Sequence, residues 1–164
     1  MTDVRLKNLQ NWLGQVVDDF NVKSLVALPG DAGFRRYFRI PSAVTLIAVD
    51  SPPETENNKR FIDIANYLTD ISVRVPIIKH HCIKHGFFVL EDLGDQLLFN
   101  YLTIDNADMP YQSAMTTLLR IQFTPATVAL SSPLLPFDAA MMQNEMQLCQ
   151  QWFFDGLVLT DSCL

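Results

Sequence analysis

Basic residues are the first scarcity in this sequence: 12 Lys and Arg stand against 18 Asp and Glu, a formal charge of -6 over 164 residues. That balance leaves no extended cationic surface to neutralise a phosphate backbone, so nucleic acid is excluded as an expected partner. Cysteine is also scarce. Cys82, Cys149 and Cys163 are odd in number, far apart and form no C-x-x-C pair. They read as reduced thiols of a cytosolic protein and exclude a disulfide framework. Long apolar runs are missing: Phe87-Phe88-Val89-Leu90 is far too short to span a bilayer. No apolar stretch follows the charges between Met1 and Lys7, so no secretory signal is expected either. A cytoplasmic location with no membrane contact follows. There is no internal repeat and no low-complexity tract.

What is present is the composition of a globular protein, 49% apolar and 18% charged. Leu6, Leu9, Trp12, Leu13, Val16, Val17 and Phe20 recur at helical spacing, with Thr2 or Asp3 as N-cap and Asn21 as stop, which predicts a leading helix over 3–20. Lys23 to Leu28 and Tyr37 to Ile40 are β-like and flank Pro29-Gly30-Asp31-Ala32-Gly33, the chemistry of a hairpin loop. Val44 to Val49 is a third strand, closed by Ser51-Pro52-Pro53. Phe61, Ile64, Ala65 and Leu68 then place an apolar stripe on a second helix. Val75 to Ile78 and Phe87 to Glu91 are expected as strands four and five, joined by a polar, His-rich turn. Beyond Asp92-Leu93-Gly94-Asp95 the period is helical again, through Ala114, Met115, Leu118 and Leu119 and then Met141, Glu145, Leu148, Cys149 and Trp152. The segment from Phe123 to Pro136 is a connector. The fold class is therefore α+β, a five-stranded antiparallel sheet with one helix inserted, leading into a helical part.

Two stretches carry chemistry. In Leu28-Pro29-Gly30-Asp31-Ala32-Gly33-Phe34-Arg35-Arg36-Tyr37-Phe38-Arg39, glycines between paired strands let backbone N–H groups approach a polyphosphate. The arginines beside them supply forked donors that match phosphate oxygens. An ordinary hairpin turn with solvated arginines is the alternative. In Gly86-Phe87-Phe88-Val89-Leu90-Glu91-Asp92-Leu93-Gly94, a buried strand runs into an acidic bend closed by a glycine, which leaves backbone groups available to a ligand. A plain strand end is the alternative there.

Together with Leu46-Ile47-Ala48-Val49-Asp50-Ser51-Pro52-Pro53, and more weakly with Leu135-Pro136-Phe137 leading to Glu145 and Trp152, these motifs resemble the aminoglycoside phosphotransferase-like branch of the protein-kinase-like fold. Within it they are similar to the bacterial anomeric kinases of N-acetylmuramate and N-acetylglucosamine, which serve cell-wall recycling. The resemblance implies ATP as donor, magnesium as its counter-ion and a sugar, specifically an amino sugar, as acceptor. It places nucleotide on Gly30, Asp31, Ala32, Gly33, Phe34, Arg35 and Arg36 and on Glu91, Asp92 and Leu93. It implies residues 1–92 as the nucleotide-binding lobe with one control helix and 93–164 as the start of an incomplete helical lobe.

Three departures qualify it. Gly33 stands where these relatives commonly carry Ser. The third strand ends in Val49-Asp50 with no phosphate-binding Lys, so the Lys–Glu pair of the fold has no counterpart, and Arg36 or Arg39 is the expected substitute. Neither His-x-Asp-x-x-x-x-Asn nor a later Asp motif follows Asp95, so no catalytic residue and no magnesium ligand is assigned within the chain. Choline, homoserine or aminoglycoside kinases, and a non-catalytic nucleotide-binding protein, are the competing readings.

His80, His81, Cys82 and His85 could ligate metal, but no second cluster accompanies them, and a solvated turn is the preferred reading. Glu54 and Glu56 favour the N-terminus of the second helix, and one of them is placed to pair with a loop arginine. Met141, Met142, Met146, Trp152 and Phe153 form an apolar face that core packing explains better than a cofactor. Left uncovered, it would favour a homodimer through residues 137–159.

Overall fold

The computed structural model describes residues 3–18, 21, 25–30, 33–41, 45–123 and 138–158, the last four of these by backbone alone. The chain divides into two units, Met1–Pro133 and Leu134–Leu164. The first holds a five-stranded antiparallel sheet in the order β1-β2-β3-β5-β4, with β1 at Val26–Ala27, β2 at Arg36–Ile40, β3 at Leu46–Asp50, β4 at Ile78–Cys82 and β5 at Phe87–Glu91. Helix α1, Val4–Val16, precedes the sheet and α2, Asn58–Asp70, lies between β3 and β4 in sequence. A single turn α3, Leu98–Tyr101, and the longer α4, Asp108–Gln122, follow β5. In the second unit α5, Ala139–Cys149, is capped by the Asp138 carboxylate on the Met141 N–H and continues as a π-helix over Gln150–Val158.

The sheet separates two apolar clusters because successive side chains point to opposite faces. Phe38, Ile40, Ala48, Phe87 and Val89 face α1, where Leu9 and Leu13 are fully buried among them. Val49, Phe88 and Leu90 face α2 and meet Phe61 and Ile62. The interior strand β5 is buried along four consecutive residues, as a strand covered on both faces must be.

The leading helix and the fourth strand depart most from their expected bounds. The leading helix ends at Val16, not Phe20, and Val17 is already extended while its N–H still closes the last turn on the Leu13 carbonyl. The β-branched pair Val16-Val17 makes the continuation costly. Its N-cap is Asp3, whose carboxylate accepts the Leu6 N–H at 2.9 Å; Thr2 and Phe20 lie outside the described residues. The fourth strand is Ile78–Cys82, so His80 and His81 are strand residues and the turn is Ile83 to Gly86. Pro76 has no N–H for a ladder, and the Ile77 N–H donates to the Glu91 carboxylate. Pairing therefore starts only at Ile78, on an edge strand whose polar middle residues face solvent.

Gly86 makes the tight turn into β5. Its φ is +69°, and a Cβ there would lie 1.8 Å from the Ser51 carbonyl oxygen, so backbone passes where any side chain would be.

Candidate functional site

The face of the sheet that carries α2 gathers most of the residues singled out from the sequence. Alternation along β2 sends Arg35, Tyr37 and Arg39 one way and Arg36, Phe38 and Ile40 the other. Consistent with that, Arg35 pairs with Glu56 at 2.9 Å, donates to the Ser51 hydroxyl at 3.2 Å and lies 5.0 Å over the Phe61 ring. The pairing foreseen for one of the two glutamates falls to Glu56, just ahead of α2. Arg35, Glu56, Arg60, Phe61, Ile64 and Leu68 line a cleft of about 350 Å³ with an apolar floor and a charged rim.

Arg36 points to the α1 face instead. It donates to Asp50 at 2.5 and 3.0 Å and pairs with Asp3. Asp50 is fully buried and also takes two donors from Arg5, at 2.5 and 2.9 Å. Arg5 then reaches the His85 carbonyl at 2.9 Å. A buried carboxylate between two guanidiniums is neutralised where it stands and ties α1 to the ends of β2, β3 and β5. Its partner Arg36 holds the Asp3 carboxyl down at about 2, helped by the Leu6 N–H. Strand pairing sets Arg36 directly opposite Asp50. Had the hairpin register been drawn from the sequence, a carboxylate ending the apolar run Leu46 to Val49 would have pointed to that arginine.

Both arginines expected in place of a strand-three lysine are held by carboxylates. Arg36 is committed to Asp50 and Asp3 on the face away from α2, and Arg39 is committed at the far end of the sheet. The cation on the α2 face beside the loop is Arg35. Val49, the last β3 residue on that face, is buried among Phe88 and Leu90.

The acidic bend after β5 is held by two arginines. Arg74 grips the Glu91 carboxylate at 2.6 and 2.9 Å and, with the Ile77 N–H, keeps it below the ordinary carboxyl range. Arg39 donates to Asp92 at 2.6 and 3.1 Å and to Asp95 at 2.6 and 2.7 Å. That guanidinium lowers both carboxyl pKa values, and the Gly94 N–H, 2.8 Å from Asp92, adds to the effect there. Between these held residues, Leu93 is exposed and its N–H makes no hydrogen bond among the described residues.

Of the loop residues, Gly30 is exposed with open space where a Cβ would stand, Gly33 is exposed and Phe34 is 65% exposed. Asp31 and Ala32 lie outside the described residues. The Leu28 N–H to the Tyr37 carbonyl, 2.9 Å, closes the hairpin that presents the loop. Among the described residues no three His, Cys, Asp or Glu side chains come together to hold a metal ion. His81 and His85 stack on Phe88 and Phe87. No helix among the described residues is long and apolar enough to cross a membrane.

No protein-family model matches the chain. It is similar to curated proteins named N-acetylmuramate/N-acetylglucosamine kinase. Identity is 34% to that of Pseudomonas putida, over 98% of this chain and 50% of the relative. It is 30% to that of Pseudomonas aeruginosa, over 92% and 46%, and 26% to that of Neisseria meningitidis serogroup B, over 88% and 43%. The chain thus spans about half the length of the curated relatives it matches.

Proposed function

We propose that this chain is the nucleotide-binding part of an ATP-dependent sugar kinase of the protein-kinase-like fold, with an amino sugar as acceptor in the whole protein. Similarity to kinases of that name along nearly the entire chain supports the activity class and the acceptor. The observation that carries the nucleotide reading is the pairing of features on one structure: a glycine-containing hairpin loop next to Arg35, and a bend after β5 where the Leu93 N–H makes no hydrogen bond among the described residues.

Adenine presents one acceptor and one donor on its edge, and the Leu93 N–H is the kind of group that meets the acceptor. The phosphates lie at the Gly30 to Arg35 loop, where backbone N–H groups and the Arg35 fork meet their oxygens. Glu56 and Ser51 hold that fork in place, the role a glutamate plays for a phosphate-binding lysine elsewhere in the kinase fold. Among the described residues no three carboxylate, histidine or cysteine side chains gather at one place, and no step through magnesium is derived from this part of the protein.

Calorimetric titration of the 164-residue chain tests the reading. ATP is expected to bind more tightly than inorganic tripolyphosphate, which carries the phosphates without the base. Arg35→Ala should weaken both ligands by about tenfold, the loss of one charge-assisted contact. Absence of ATP binding, or equal affinity for the two ligands, overturns it.

A further inference from the structure

Arg39 was expected at the phosphates, yet it stands where it can act on the base. It leaves β2 opposite Ile47 of β3, and Ile47 is paired in turn with Leu90 of β5. Its side chain crosses β3 to the residues that follow β5. There a single guanidinium makes four hydrogen bonds, two to Asp92 and two to Asp95. These carboxylates bracket Leu93 and Gly94. Asp92 also folds back onto the Gly94 N–H at 2.8 Å, and Gly94 has a φ of +83°. The bend is therefore pinned on both sides of the Leu93 N–H by one side chain from a different strand.

We propose that Arg39 is a positioning residue for the nucleotide: it fixes the Asp92–Asp95 bend in the form that offers the Leu93 N–H to the base, and it touches no part of the ligand. This rests on the nucleotide reading above. Ordering a backbone segment of this length at the moment of binding opposes affinity, and a bend already held in place escapes that cost. Asp95 is 78% exposed, so its pair with Arg39 does little for the fold. Its contribution is to the shape of the bend.

The planar fork matters more than the charge. A lysine in place of Arg39 has one ammonium and cannot serve two carboxylates in the same geometry. An arginine that met phosphate directly would instead lose tripolyphosphate together with ATP when it is replaced.

The test compares ATP with inorganic tripolyphosphate on the full 164-residue chain and its variants. Arg39→Ala and Arg39→Lys should each weaken ATP by about tenfold and leave tripolyphosphate within about twofold of wild type. Because Asp92 is nearly buried, loss of Arg39 strains the fold; Asp95→Ala, at an exposed site, provides a second variant with a smaller loss of the same kind. Circular dichroism confirms that each variant is folded. Parallel losses for both ligands, or retention of ATP affinity in Arg39→Lys and Asp95→Ala, overturn the proposal and leave the nucleotide reading standing. A wild-type chain that does not distinguish the two ligands overturns both.

Discussion

Ser51 and Asn58 are joined by two hydrogen bonds in opposite directions: the Ser51 hydroxyl donates to the Asn58 side-chain oxygen at 2.6 Å, and the Asn58 amide donates to the Ser51 carbonyl at 2.9 Å. Both residues are buried, and the Ser51 N–H completes the set on the Gly86 carbonyl at 2.7 Å. The end of β3, the first residue of α2 and the β4–β5 turn thus meet in one satisfied polar knot. Arg35 is anchored to it through the Ser51 hydroxyl, which links the stability of the knot to the geometry of the candidate phosphate site.

Gly86→Ala is expected to destabilise the chain by at least about 2 kcal/mol, since it adds backbone strain and a clash with Ser51 that only a backbone shift relieves. Asn58→Ala should cost about 1 to 3 kcal/mol by leaving the buried Ser51 carbonyl without its side-chain donor. Urea unfolding at pH 7 measures both. Wild-type midpoints for these variants would show that the knot contributes nothing.

Arg36→Ala is expected to lower stability by about 2 kcal/mol, less than for a lone buried pair because Arg5 still neutralises Asp50. ATP affinity should stay within about threefold of wild type, the opposite of what the loop sequence alone suggests. A double-mutant cycle with Asp50→Ala should return a coupling energy of at least about 1 kcal/mol. A tenfold loss of ATP affinity with unchanged stability would restore Arg36 to the phosphates.

How much of this was legible in the sequence depends on whether a feature is local. Strand β5 was read at Phe87–Glu91 because a short apolar run bounded by Gly86 and Gly94 is its own signal. Strand β4 was displaced because an edge strand turns polar residues such as Lys79 and His80 to water, and that pattern also describes a turn. The ion pairs were harder still. Arg36–Asp50 spans 14 residues and Arg39–Asp92 spans 53. Which of three neighbouring arginines faces α2 follows from strand alternation only when the register is known. Arg5, Asp95 and Arg74 carried no local cue and emerge only with the sheet assembled.

The chain alone is expected to transfer no phosphate from ATP to N-acetylglucosamine or N-acetylmuramate. Phosphoryl transfer depends on placing the acceptor hydroxyl and neutralising charge, through an Asp base and metal-holding Asp and Asn groups. No His-x-Asp-x-x-x-x-Asn pattern occurs in the sequence. A coupled ADP-release assay decides it, and turnover above a no-protein control would overturn the expectation.

Self-association through the second unit is expected. Met146, Trp152, Phe153 and Phe154 are all at least half exposed, an apolar surface that water disfavours. Sedimentation across a concentration series should show a growing dimer or larger species, reduced by Trp152→Ser with Phe153→Ser. A monomer at every concentration would contradict it.

Acid should loosen the first unit through its paired carboxylates. Asp3 is held at about 2 by Arg36, and Arg74 and Arg39 hold Glu91, Asp92 and Asp95 below their ordinary values. A carboxyl whose folded pKa is depressed binds protons more readily in the unfolded chain. Its contribution is therefore complete above the unfolded value near 4 and disappears as pH falls toward the folded one. The urea midpoint is expected to be flat between about pH 5 and 7 and to drop between about pH 4 and 2. Asp3→Asn isolates one group, because asparagine still caps α1 through the Leu6 N–H while its charge is gone. That variant should be less stable than wild type at pH 7 and should converge with it near pH 2, where the wild-type carboxyl is itself protonating. Added salt should narrow the gap at pH 7, since Asp3 and Arg36 are both partly solvated. A gap that persists unchanged to pH 2 would mean that asparagine fails as a cap and that the ion pair is not what Asp3 contributes.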